Sequence, residues 1–139
     1  MDSSDEMKPD ILIVDDDADF LNMLSQRLKT RGLEADTVNN GEEALEIVKG
    51  KNYNIVILDL VMPGMGGMEV LRTVKKTYPH LPVIVLTGQG TTEDAVQAMK
   101  EGALDYLEKP VEIGTLVQKI LEARHKRLSL LTEEAKKTI

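Results

Sequence analysis

Ile11-Leu12-Ile13-Val14-Asp15-Asp16-Asp17 sets four aliphatic residues directly against three carboxylates. Three further stretches repeat the design. Ile55-Val56-Ile57-Leu58 stops at Asp59, Val83-Ile84-Val85-Leu86 stops at Thr87, and Leu104-Asp105-Tyr106-Leu107 leads shortly to Lys109-Pro110. Unbroken Ile, Val and Leu over so short a run suits a parallel strand covered on both faces. Neighbouring parallel strands end along one edge of a sheet, and there open α/β folds bind ligands. Carboxylates, a hydroxyl and an ammonium group are therefore expected in one cleft.

Between the strand-like runs, apolar residues recur at helical spacing, as in Leu21, Leu24 and Leu28 or Ala44, Leu45, Ile47 and Val48. The pattern predicts strands over 10–14, 33–38, 54–58, 82–86 and 103–107, with helices over 18–31, 41–50, 67–77, 92–101 and 112–127. Leu33-Glu34-Ala35-Asp36-Thr37-Val38 is half polar and belongs at one sheet edge; the mixed last strand belongs at the other. Asp17, Asn40 and Thr91 or Thr92 can each cap the helix that follows, and Gly32 and Gly102 stand where helices should stop. Alternating βα units of this kind build a three-layer α/β/α fold around a five-stranded parallel sheet.

One domain is expected from 139 residues, and composition narrows its class. A formal net charge of −7 disfavours direct nucleic-acid binding by this domain, since phosphate neutralisation by Lys and Arg dominates such binding. One Phe, three Tyr and no Trp leave little for stacking on bases or flavins. The absence of Cys excludes disulfides, thiolate metal sites and a Cys nucleophile. Met1-Asp2-Ser3-Ser4-Asp5-Glu6 lacks the basic start and apolar core of a secretory signal, and no run approaches the roughly 20 apolar residues of a membrane span. A cytoplasmic location without membrane contact is the default expectation. Residues 1–9 read as a disordered leader, 10–127 as the domain, and 128–139 as either a prolonged last helix or a linker.

Asp17 alone is best read as a helix cap. Asp15 and Asp16 call for more if Asp59 is near, because unit charges about 5 Å apart repel by roughly 3 kcal/mol at an effective dielectric of about 20. A divalent cation would relieve that repulsion, and oxygen-only ligands suit Mg²⁺ or Mn²⁺ rather than zinc. His80 and His125 fall far from every predicted strand end and read as surface residues. Leu60-Val61-Met62-Pro63-Gly64-Met65-Gly66-Gly67 is a turn that can bring backbone close to a ligand. Gly88-Gln89-Gly90 after Thr87 frees backbone amides to approach an anion, and Lys109 is either a solvated lysine or a partner for phosphoryl oxygen. Together these groups specify an aspartyl phosphate site.

In order, spacing and strand context, this set resembles the receiver domain of two-component response regulators: Asp15-Asp16, Asp59-Leu60-Val61-Met62-Pro63-Gly64, Thr87-Gly88, Tyr106 and Lys109-Pro110. The likeness runs from residue 10 to about 127, and the strand order 2-1-3-4-5 of a flavodoxin-like (βα)5 fold is tied to it. The resemblance implies that Asp59 takes a phosphoryl group from the phosphohistidine of a sensor histidine kinase or from a phosphotransfer protein. It implies Mg²⁺ on Asp16, Asp59 and the Val61 carbonyl, with Asp15 reaching it through water. It implies Lys109 and the Thr87-Gly88 segment on the phosphoryl oxygens, with Thr87 and Tyr106 as switch residues. The output would be a change in the surface of helix four, strand five and helix five, read by an effector domain, a partner protein or a second copy in a phosphorylation-dependent homodimer. A cis Lys109-Pro110 bond is also implied. Gly66 departs from the family pattern, where Asp is common.

Two rival readings use similar groups. A haloacid-dehalogenase-type phosphatase would use Asp15-x-Asp17, but it places a second acidic site after its Lys, where this chain has only Glu112 and later helical acids. A flavodoxin-like binding protein would put its phosphate loop after strand one, whereas Thr87-Gly88-Gln89-Gly90-Thr91 follows strand four. A receiver that no longer takes phosphate is disfavoured by the intact acidic pair, Asp59, Thr87 and Lys109.

Overall fold

The computed structural model describes residues 10–137, so the leader expected over 1–9 lies outside the described residues. Strands β1 (Ile11–Val14), β2 (Ala35–Val38), β3 (Ile55–Leu58), β4 (Val83–Thr87) and β5 (Asp105–Glu108) alternate with helices α1 (Ala18–Thr30), α2 (Gly41–Gly50), α3 (Gly67–Thr77), α4 (Thr92–Lys100) and α5 (Ile113–Lys137). All pairings are parallel and the order is β2-β1-β3-β4-β5. The half-polar strands occupy the two edges, as their composition requires.

Strand alternation divides the core in two. Leu12, Val14, Val56, Leu58, Val83 and Val85 point to the face covered by α2, α3 and α4 through Ala44, Val48, Val70, Leu71, Val74 and Ala98. Ile11, Ile13, Ile55, Ile57, Ile84 and Leu86 point to the other, where Leu21, Leu24 and Leu28 of α1 meet Leu116, Ile120 and Ala123 of α5. Each fully buried aliphatic side chain contributes about 1.5–3 kcal/mol. Strands buried on both faces cannot slip by one residue without exchanging the two cores, which holds their ends in register.

Helix ends follow local chemistry. Asp17, Asn40 and Thr91 accept from the amides of Phe20, Glu43 and Asp94, and Thr91 with Asp94 closes a reciprocal capping box. Two expected boundaries move for the same reason. The Leu33 amide donates to Leu28 O and the Ala103 amide to Ala98 O, so both residues finish the preceding helix, and β2 and β5 start two residues later than expected. Helix α5 runs unbroken to Lys137, beyond the point where its apolar spacing ends. Polar ties hold the extension: the Arg127 guanidinium donates to Asn54 Oδ1 at 3.1 Å and Asn52 Oδ1 at 2.7 Å, and His80 lies 3.5 Å from Glu134.

Candidate functional site

The register fixes which strand ends meet. Val14 pairs with Leu58, so Asp15 and Asp59 leave neighbouring strands side by side; Thr87 pairs with Glu108, so Lys109 follows next to Thr87. The backbone continues the ladder a step further, with the Asp59 amide on Val14 O at 2.9 Å and the Lys109 amide on Thr87 O at 3.0 Å. The Lys109–Pro110 bond is cis. A cleft of about 420 Å³ opens over these ends. Asp15, Asp16, Asp17, Asp59, Val61, Thr87, Gly88, Gln89 and Lys109 line it.

Asp15, Asp59 and Thr87 are the buried polar residues among those described, and all three lie here. Asp15, Asp16 and Asp59 each place a carboxylate oxygen within 4.8 Å of the others'. Lys109 Nζ sits 2.5 Å from Asp15 Oδ2 and 3.4 Å from Asp59 Oδ2. Burial pushes the Asp15 carboxyl above its ordinary range, against the opposing pull of the Lys109 hydrogen bond and of the Asp17 amide on Asp15 Oδ1. One ammonium shared by two buried carboxylates, with a third close by, leaves negative charge that a hard divalent cation fits.

The remaining lining is arranged by loops. The Val61 amide donates to Asp59 Oδ1 at 3.1 Å, which aims that carboxylate back over its own turn. Gly67 lies so close beneath that a Cβ there would overlap Asp59 O and Leu60 Cα, so the turn after β3 closes only with glycine at this point. The Gln89 amide faces Thr87 Oγ1 at 3.5 Å. That separation is longer than a well-formed hydrogen bond, so the hydroxyl keeps most of its capacity for another partner.

Of the residues expected from sequence, Asp15, Asp16, Asp59, Val61, Thr87, Gly88 and Lys109 share the cleft. Tyr106 does not line it. Its ring packs with the α2–α3–α4 side of the core, its hydroxyl is buried without a hydrogen-bond partner, and it lies beside Gly90 and the Thr87 methyl. Asp17 caps α1, while His80 and His125 lie away from the cleft. Sequence reasoning missed Phe20, whose ring centroid is 3.9 Å from Lys109 Nζ. An aromatic in the first turn of α1 gives no sign that a lysine 89 positions later folds over it. Such a contact contributes roughly 0.5–2 kcal/mol to holding the ammonium in place.

Fold and cleft together define a parallel α/β domain with an acidic site at the carboxyl ends of its strands, and comparison with known proteins specifies it. Residues 11–121 match the response regulator receiver domain, and the chain belongs to that family. It is 44% identical over 110 residues to a putative NtrX-like response regulator of Rickettsia bellii, covering 78% of this chain and 23% of that one. The transcriptional regulatory protein ZraR of Klebsiella oxytoca is 40% identical over 121 residues, covering 86% and 27%. The chain thus spans about a quarter of the length of these curated relatives. Among solved structures, a response regulator receiver domain protein from Clostridium thermocellum superposes with a TM-score of 0.83 at 39% identity, covering 88% of this chain and 98% of that one. NtrX from Brucella abortus gives 0.84 at 30% identity, covering 95% and 31%. Among the described residues, no helix is long and apolar enough to cross a membrane.

Proposed function

We propose that Asp59 is a phosphoacceptor and that the domain is a switch set by its phosphorylation. The observation that carries this reading is the group of three aspartate carboxylates within 4.8 Å of one another, with Lys109 Nζ bridging two of them. An ionised Asp59 oxygen attacks the phosphorus of a phosphohistidine. The P–N bond breaks as the new P–O bond forms, and the departing electron pair stays on the imidazole nitrogen. No general base is needed, because the nucleophile is already a carboxylate.

The site's task is positioning and neutralisation of charge, as in phosphoryl transfer generally. Mg²⁺ would be held by Asp16, Asp59 and the Val61 carbonyl, with Asp15 through water, and when bound it supplies positive charge to the phosphoryl oxygens. Lys109 moves from Asp15 toward the incoming group. The Thr87 hydroxyl, weakly engaged by Gln89, turns to the phosphoryl oxygens together with the Gly88 amide. The Thr87 methyl lies beside Tyr106 at Gly90, so the turn of this side chain reaches the ring, and the surface of α4, β5 and α5 carries the change outward. The donor is a sensor histidine kinase or a phosphotransfer protein, and the reader is an effector domain, a partner protein or a second copy of the chain. The length of the relatives favours an effector domain.

Intact-mass analysis after incubation with Mg²⁺ and acetyl phosphate tests the reading. One phosphoryl adduct, stable in acid, labile in base and absent from Asp59→Asn, is expected. Failure of the wild type to accept phosphate from both acetyl phosphate and a competent kinase would overturn it, as would sustained hydrolysis of many phosphate esters.

A further inference from the structure

Gly90 directly follows the cleft-lining Gln89 and does not itself line the cleft. Its surroundings are nevertheless tight. A Cβ built on its backbone would overlap Tyr106 Oη outright, and would lie 2.8 Å from both Tyr106 Cζ and the Thr87 Cγ2 methyl. Real Cβ atoms do not approach so closely, so Tyr106 occupies volume that any residue except glycine would fill. The backbone does not need glycine here: Gly32, Gly64 and Gly102 are the glycines with positive φ among the described residues. The requirement at 90 is therefore one of space and not of dihedral angle.

We propose that glycine at position 90 is the positioning residue that admits Tyr106 to its inward place beside Thr87, and that it thereby sets how readily the output face responds. The inference rests on the reading of Thr87 and Tyr106 as the switch. The inward place holds the phenol weakly, since its buried hydroxyl has no hydrogen-bond partner and an unsatisfied buried polar group is unfavourable. Ring packing against the core opposes that penalty. A weakly held ring whose entry depends on one missing methyl group is easily shifted by the Thr87 side chain, whose methyl borders the same space that a Cβ at 90 would take. A side chain at 90 takes the inward place and drives the ring out to the β5 edge.

Ring-¹³C tyrosine labelling of the full chain tests this, because its three tyrosines give few signals and Tyr106→Phe assigns one of them. In the wild type, with buried Tyr53 as the protected reference, the partly buried Tyr106 ring should be only weakly reached by a soluble paramagnetic agent. In Gly90→Ala it should become accessible while Tyr53 stays protected. Thermal unfolding supplies an independent arm: Gly90→Ala should lower Tm more in the wild type than in a Tyr106→Ala background, where only the 2.8 Å approach to Thr87 Cγ2 remains. Equal protection of Tyr106 with Gly and Ala at 90, or an equal loss of Tm in both backgrounds, overturns the inference; so does Gly90→Ala that fails to fold with either residue at 106. Mass analysis with acetyl phosphate and with a competent kinase separates this from the phosphoacceptor reading. A Tyr106 response without any adduct on Asp59 sinks that reading and leaves this one standing, whereas an adduct with an indifferent Tyr106 does the reverse.

Discussion

Asp36 on the edge strand β2 and Asp15 at the end of its neighbour β1 are each paired with a lysine, yet the two aspartates respond to folding in opposite directions. Asp36 accepts from Lys51 Nζ at 2.8 Å and from Tyr53 Oη at 2.6 Å, and its side chain remains 42% exposed. Those hydrogen bonds, Lys51 first and Tyr53 second, hold its carboxyl below the ordinary range. Asp15 is 2% exposed, must share Lys109 with Asp59, and is pushed upward by burial. An acid with donors of its own is a structural tie. Acids that crowd around one shared ammonium are held by the fold in an unfavourable arrangement, which a cation or a phosphoryl group can exploit.

The largest effect should come from removing the close approach that creates the crowding. Gly67→Ala forces a methyl into Asp59 O and Leu60 Cα, where backbone cannot yield without moving Asp59. A loss of about 3 kcal/mol in urea-denaturation stability is expected. A loss under about 0.5 kcal/mol would mean that the turn is not the constraint. Next comes a single chemical change made at both clusters, in the presence of a chelator. Asp59→Asn relieves repulsion among three carboxylates and should raise stability by on the order of 1 kcal/mol. Asp36→Asn weakens two hydrogen bonds and should lower it by about 1 kcal/mol, the half-exposed setting having reduced the full value. Shifts of the same sign would erase the distinction between the clusters.

Acid titration sharpens it further. Because the folded-state pKa of Asp36 is depressed, its contribution is fully present above the unfolded value of about 4 and disappears as pH falls through the lower folded value. Stability of Asp36→Asn should consequently fall less steeply than that of the wild type below about pH 4. Parallel curves would assign the acid sensitivity elsewhere. The smallest effect is expected at the exposed Lys49–Glu46 pair on α2, where Lys49→Ala should change stability by less than about 0.5 kcal/mol. A larger loss there would show that exposed pairs do matter in this fold.

Much of the site was legible before any fold was known, and particular residues show why. Asp15, Asp59 and Lys109 each follow a strand directly and Thr87 ends one, so their convergence needs only parallel neighbouring strands and a known order. Caps at Asp17 and Asn40 were equally readable, since a cap depends on amides within three residues, while the choice of Thr91 over Thr92 came from the structure. Contacts made at long sequence separation were not. The apolar spacing of α5 stops before its far end, and the groups that hold that end, Asn52, Asn54 and His80, belong to loops more than 50 residues away.

The sequence by itself determined the alternation of strands and helices, the two half-polar edges and the order of reactive groups along the chain. These are properties of periodicity and of neighbours a few residues apart, where backbone geometry leaves few choices. Only the tertiary structure decided that Lys109 lies over Phe20, that Asp15 rather than Asp59 holds its ammonium more closely, and that Tyr106 fills the space left by Gly90. Distances of this kind depend on how helices seat against the sheet. Shifts of an ångström in that packing decide which side chain a polar group meets, and no local pattern encodes them.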